Sequence, residues 1–141
     1  MSILILNELI QKVRRYTRDT TGSLFTQEDI VDFCNEGIHR LRAIPELRNM
    51  ATLHNSTDEV NLLPNQYHYF IALYGASRCF TQDEQHYQAE QFMSEFENKV
   101  FQLERDIASG VIEIKDANGN AIIDTSRVDY ILEEYFEKRD E

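Results

Sequence analysis

Residues 83–109 constrain this chain more than any other stretch. Ala89, Phe92, Met93, Phe96, Val100, Leu103 and Ile107 recur at spacings of three and four, which places them on one narrow stripe of an α-helix. Glu90, Glu95, Glu97, Asn98, Glu104 and Arg105 fall elsewhere on the wheel. At a rise of 1.5 Å per residue such a helix is about 40 Å long, the spine of so short a chain. Gly110 stands where a left-handed residue would cap the last turn. Two aromatics, Tyr87 and Phe101, point away from the stripe toward the face with Glu90, Ser94 and Glu97. They require a cover, either another element of the same domain or a neighbouring subunit.

The chain before the spine reads as helical. The first helix is expected over residues 2–18, with Leu6, Leu9, Ile10, Val13 and Tyr16 or Thr17 inward. Lys12, Arg14, Arg15 and Arg18 crowd its end. There, cations complement the helix macrodipole, and they could also meet an acidic protein surface. Thr26, with Asp29 three residues on, forms the N-cap of a second helix reaching about residue 43, with Ile30, Val31, Phe33, Cys34, Ile38 and Leu41 apolar and Pro45 beyond its end. Gly37 within it suggests the close approach of another backbone. Residues 51–63 change period around Asn55-Ser56-Thr57-Asp58, predicting a short β-hairpin. Pro64 then opens a third helix to about residue 80, with Phe70, Ile71, Leu73, Tyr74, Ser77 and Phe80 inward, and Gly75-Ala76-Ser77 allowing tight packing. The short corner Gln82-Asp83-Glu84 makes this helix and the spine an antiparallel αα-hairpin.

Beyond Gly110, residues 111–115 and 121–124 flank Asp116-Ala117-Asn118-Gly119-Asn120, whose Asn-Gly signals a second hairpin. Val128, Ile131, Leu132, Tyr135 and Phe136 then fall at helical spacing within residues 126–138. The expected architecture is mainly α: a bundle of four to five helices built on a long αα-hairpin, with one or two short β-hairpins. Residues 1–110 form its core, with one hairpin near residues 51–63. Residues 111–141, a hairpin and an amphipathic helix, belong to the same domain or form a docking arm.

Charge narrows the choice of partners. Residues 1–50 hold seven basic and seven acidic side chains, whereas residues 51–141 hold seven and eighteen, giving the whole chain a net charge of -11. An acidic surface repels the phosphates through which proteins grip DNA. No apolar run approaches the length of a membrane span, and the start lacks the basic flank of a signal peptide, so a cytosolic site of synthesis is expected. Cys34 and Cys79, in apolar surroundings without CxxC spacing, read as small buried hydrophobes.

The sequence carries no recognisable catalytic pattern. The five glycines build neither a phosphate loop nor a dinucleotide fingerprint, and the serines lie in no nucleophile elbow. His39, His54, His68 and His86 are scattered. His86 and Glu90, four apart, lack a third metal ligand. Glu133, Glu134 and Glu137 resemble a solvated helix face. The expectation is a protein that is not an enzyme, with no catalytic residues, cofactor or metal.

The order of elements resembles the head-to-tail connector, or neck adaptor, proteins of tailed bacteriophages. The resemblance rests on Leu24-Phe25-Thr26-Gln27-Glu28-Asp29-Ile30, Phe33-Cys34-Asn35-Glu36-Gly37-Ile38, Leu63-Pro64, Tyr74-Gly75-Ala76-Ser77-Arg78-Cys79, Asp83, Ala89 and Phe92-Met93-Ser94-Glu95-Phe96-Glu97, and covers about residues 1–110. It implies a structural virion protein, made in the host cytoplasm. About twelve copies would form a ring beneath the portal protein, lengthening the DNA channel and receiving the next neck or tail-completion protein. DNA would pass without specific binding. On this reading Tyr87 and Phe101 lie between subunits. Val128, Ile131, Leu132, Tyr135 and Phe136 contact the portal, or else complete the monomer's own core. The turn that lines the channel is either residues 55–58 or residues 116–120. The alternative is a helical regulator or adaptor that binds a cellular protein.

Overall fold

The computed structural model describes residues 4–19, 22 and 24–122. Four α-helices occur among them: α1 (Leu6–Thr17), α2 (Gln27–Leu41), α3 (Tyr69–Gln82) and α4 (His86–Ala108). The chain is mainly helical, and α3 packs against each of the other three. Nine of the fourteen residues of α3 are buried, so it is apolar nearly all round, as a central helix must be.

Most of the expected helical faces are found. Leu6, Leu9, Ile10, Val13 and Thr17 of α1 are buried, Tyr16 is half-buried, and Ala89, Phe96, Leu103 and Ile107 of α4 are buried. Phe92, Met93 and Val100 pack on the core from its margin. Thr26 caps α2, its hydroxyl accepting the Asp29 N–H at 3.1 Å. The Asp29 carboxylate accepts a hydrogen bond from Gln82 Nε2 at 3.3 Å. Gly110, with φ 82°, donates its N–H to the Ile107 carbonyl and ends α4 as its position suggests.

The α3–α4 corner is the expected αα-hairpin. The Ser77 hydroxyl donates to the Ala89 carbonyl at 2.7 Å, Phe80 stacks on Phe92 at 5.5 Å, and Tyr74 meets Phe96 edge-on at 5.2 Å. A Cβ at Gly75 would lie 3.0 Å from Val13 Cγ2 and 3.5 Å from Cys34 Sγ, so the small residue lets α1, α2 and α3 meet. At Gly37 the close neighbour is the Tyr74 side chain, whose Cβ would lie 3.1 Å from an added methyl, not the backbone that the sequence suggests. Arg14 also departs from expectation. Its guanidinium turns inward to Asp19 at 2.9 Å and to the Phe25 carbonyl at 3.1 Å.

Residues 51–63 do not pair with one another as a hairpin. Glu59 bridges antiparallel to Ile5, Val60 N–H donates to the Leu4 carbonyl, and the carbonyls of Asp58 and Ser56 accept the N–H groups of Leu6 and Asn7. Ile5, the N-cap of α1, provides no side-chain cap, and this turn satisfies the first amides of the helix instead. On the α2 side, Asn35 supplies the pairing that a second strand would have given to Leu53. Of the second expected hairpin, whose residues 123 and 124 lie outside the described residues, the described part shows a turn with one isolated bridge, Lys115 to Ala121, and the Ile122 N–H on the Ile114 carbonyl. The third helix begins later than Pro64: a 3-10 turn, Asn65–Tyr67, precedes α3.

Two of the segments on which the phage resemblance rests, residues 33–38 and 74–79, pack on each other. Cys34 lies against Gly75, Gly37 against Tyr74, and Glu36 pairs with Arg78 at 3.0 Å while the Arg78 guanidinium sits over the Phe33 ring. Residues 33–37 and 74–78 thus meet along the seam between α2 and α3.

Candidate interaction surface

An α-helix whose inner stripe is filled leaves its outer face to solvent or to a partner. On α4 that face carries Tyr87 at 71% exposure and Phe101 at 62%, large apolar groups with no cover among the described residues. Fourteen residues separate them, about 21 Å along the axis and roughly 40° around it, so they share a face without touching. Between them lie exposed Glu90, Gln91, Ser94 and Asn98. Gln91 Nε2 donates to the Tyr87 hydroxyl at 2.9 Å, which holds the ring against its own helix. Tyr87, Glu90, Gln91, Ser94 and Glu95 line a shallow depression of about 530 Å³. Aromatic faces set in polar, acidic ground suit reversible protein contact, with the ring supplying apolar area at small entropic cost.

Among the described residues two further large apolar side chains are exposed, Leu24 in the turn before α2 and Val111 in the segment expected to be a strand. The residues expected at the portal, Val128, Ile131, Leu132, Tyr135 and Phe136, lie outside the described residues. Of the two turns considered for a channel lining, residues 55–58 are held to the start of α1. In the other, the Asp116 carboxylate accepts the N–H groups of Asn118 and Asn120, and Gly119 has φ 83°.

A second depression, of about 680 Å³, lies between α2 and residues 52–54, with Tyr74 among its walls. Asp32, Asn35, Glu36 and His39 line it at helical spacing, a polar stripe legible on a wheel but indistinguishable there from a solvated face. Four of its polar groups serve the fold: Glu36 binds Arg78, Arg40 binds Glu97, Asn35 binds Leu53 and Thr52 binds Arg42. Among the described residues no three metal-ligating side chains lie together, and no helix is long and apolar enough to cross a membrane. Cys34 and Cys79 are buried free thiols. Burial pushes both up to about 12, the neighbouring thiol adding to the effect on Cys34, which leaves neither poised as a nucleophile. Burial, then the charge of Glu95, raises the Tyr16 phenol. Searches of known proteins find no family, no curated relative and no solved structure that matches this chain.

Proposed function

We propose that the protein is a subunit of the head–tail junction of a tailed bacteriophage, assembling as a ring under the portal and extending the DNA channel. The observation that carries the reading is the pair of aromatics on the outer face of α4. Most large apolar groups among the described residues are buried or packed on the core, whereas Tyr87 and Phe101 stand in the open on one face of α4, as side chains of a subunit interface would. The resemblance of residues 1–110 to neck adaptors supplies the identity of the assembly. The acidic excess of residues 51–141 suits a channel through which DNA slides without being held. In this scheme Val128, Ile131, Leu132, Tyr135 and Phe136 dock on the portal as an amphipathic helix in a groove, and the protein works as a structural part without cofactor or metal.

The test is mass by light scattering, with negative-stain images, for the purified chain alone and mixed with portal rings. A ring or a portal-bound collar is expected. A monomer or dimer that ignores portals overturns the reading in favour of a helical regulator of a cellular protein. Replacing Ile131 and Tyr135 by alanine then tests the dock: a folded chain that no longer joins portals supports it, and a large loss of thermal stability assigns these side chains to the core.

A further inference from the structure

His68 follows the 3-10 turn before α3 and is wholly buried, with both ring nitrogens engaged. The Leu4 N–H donates to Nδ1 at 3.2 Å, and Nε2 lies 2.6 Å from the Leu63 carbonyl. An amide donor at Nδ1 requires a lone pair there, so the proton sits on Nε2 and the ring is neutral. Leu63 follows a γ-turn centred on Leu62, whose φ of 66° is unusual for a bulky residue and whose closing bond runs from Leu63 N–H to Asn61 O at 2.7 Å. One imidazole thus ties the segment leading into α1 to the loop leading into α3. The same segment is otherwise held by the Ile5–Glu59 bridge and the amides that cap α1.

We propose that His68 is an acid-release latch: protonation of Nδ1 removes the acceptor for Leu4 and frees the segment before α1 from residues 56–63, while α2, α3 and α4 stay packed. A second proton turns the acceptor into a donor facing a donor and places a charge in an apolar pocket. The titratable groups on the elements around it are Glu8, Lys12, Arg14, Arg15 and Tyr16 of α1, His54, Asp58 and Glu59 of the capping turn, Tyr67 beside His68, and Tyr69, Tyr74, Arg78 and Cys79 along α3. Burial and the Leu63 carbonyl govern its titration, with no carboxylate among the causes. Asp58 spends its carboxylate on the N–H groups of His54 and Asn55, which lower its pKa.

Burial holds His68 below the ordinary value of 6.5, against the opposing influence of the Leu63 carbonyl. The released state, with an ordinary histidine, therefore binds more protons than the latched state between 6.5 and the lower folded value. The latch is fully set above pH 6.5 and is lost as pH falls from there through the folded value. This device is independent of the connector reading and is tested apart from it.

The experiment is amide hydrogen exchange by NMR from pH 7.5 to 5, corrected for intrinsic exchange. Protection of Leu4, Leu6, Asn7 and Val60 is expected to fall by up to about tenfold per pH unit below 6.5, while amides of α3 and α4 keep theirs. His68→Asn, which keeps a neutral acceptor near the position of Nδ1, removes the pH dependence, and His54→Gln leaves it intact. Constant protection across the range overturns the proposal, as does simultaneous loss at all sites. If the His68→Asn variant fails to fold, the wild-type profile together with His54→Gln decides the matter.

Discussion

The side-chain amide of Asn35 pairs with both backbone groups of Leu53, Nδ2 donating to the carbonyl and Oδ1 accepting the N–H, each at 2.9 Å. A residue on the polar side of α2 thus imitates a neighbouring β-strand. Asn35→Ala leaves a donor and an acceptor of Leu53 without partners beside a buried side chain, and should cost about 2 kcal/mol or more in urea unfolding. Asp32→Ala, one turn away on the same stripe, is the comparison. Equal effects of the two changes would remove the special role of Asn35.

Gly75 and Gly37 respond differently to the same added methyl. At Gly75 the new Cβ meets Val13 and Cys34, both fully buried and unable to yield. Crowding of about 1–3 kcal/mol then exceeds the helix-propensity gain of about 1 kcal/mol, and Gly75→Ala destabilises. At Gly37 the obstacle is Tyr74, whose Cβ would lie 3.1 Å away and is fixed to α3, so turning the ring does not relieve the contact; Gly37→Ala also destabilises, but by less than Gly75→Ala because Tyr74 is only half-buried and leaves room for a small shift of the helices. Thermal unfolding of the two variants checks the order.

Asp19 is the more demanding half of its ion pair with Arg14. Besides the guanidinium it accepts the N–H groups of Leu24 at 3.2 Å and Phe25 at 3.1 Å. Asp19→Asn turns an amide donor toward these donors and should cost about 3–5 kcal/mol. Arg14→Met leaves the carboxylate with its two backbone donors and should cost less. Chemical denaturation of both variants measures the asymmetry; a larger loss from Arg14→Met contradicts it.

The two thiols should be silent in the native protein. With both pushed up to about 12, roughly one in ten thousand is ionised at pH 8. A thiol-reactive dye should label Cys34 and Cys79 only as fast as the core opens, and at once in denaturant. Immediate labelling of the folded chain would contradict their burial.

Local periodicity made α1, α2, α3 and α4 legible, because each apolar stripe is written within a few consecutive turns. The Thr26 cap and Gly110 were equally local. Residues 51–63 were misread because their alternation reflects distant partners: Asn35 for Leu53, and Leu4, Ile5 and Leu6 for the capping turn. A turn-rich stretch between two extended pieces looks the same whether those pieces pair with each other or with a helix start. His68 was hidden for a related reason, since a polar residue among apolar ones reveals burial only when its partners, here 64 and 5 residues away, are known. Tyr87 and Phe101 were visible as off-stripe aromatics because the rest of α4 was so regular. Their exposure is a fact of the fold that no wheel could supply.

The length of α4 has a mechanical result. Its 23 residues exceed the 14 of α3 by about 13 Å, so the far end runs past its main support. There Val100 and Glu104 border the Ala43–Ile44 edge, and the Ile112 N–H returns to the Asp106 carbonyl. Among the described residues, loops rather than a helix brace that end. On warming, α4 should fray from Ala108 backwards while the half clipped by Ser77 holds, so the helix behaves as a beam clamped at one end and merely propped at the other.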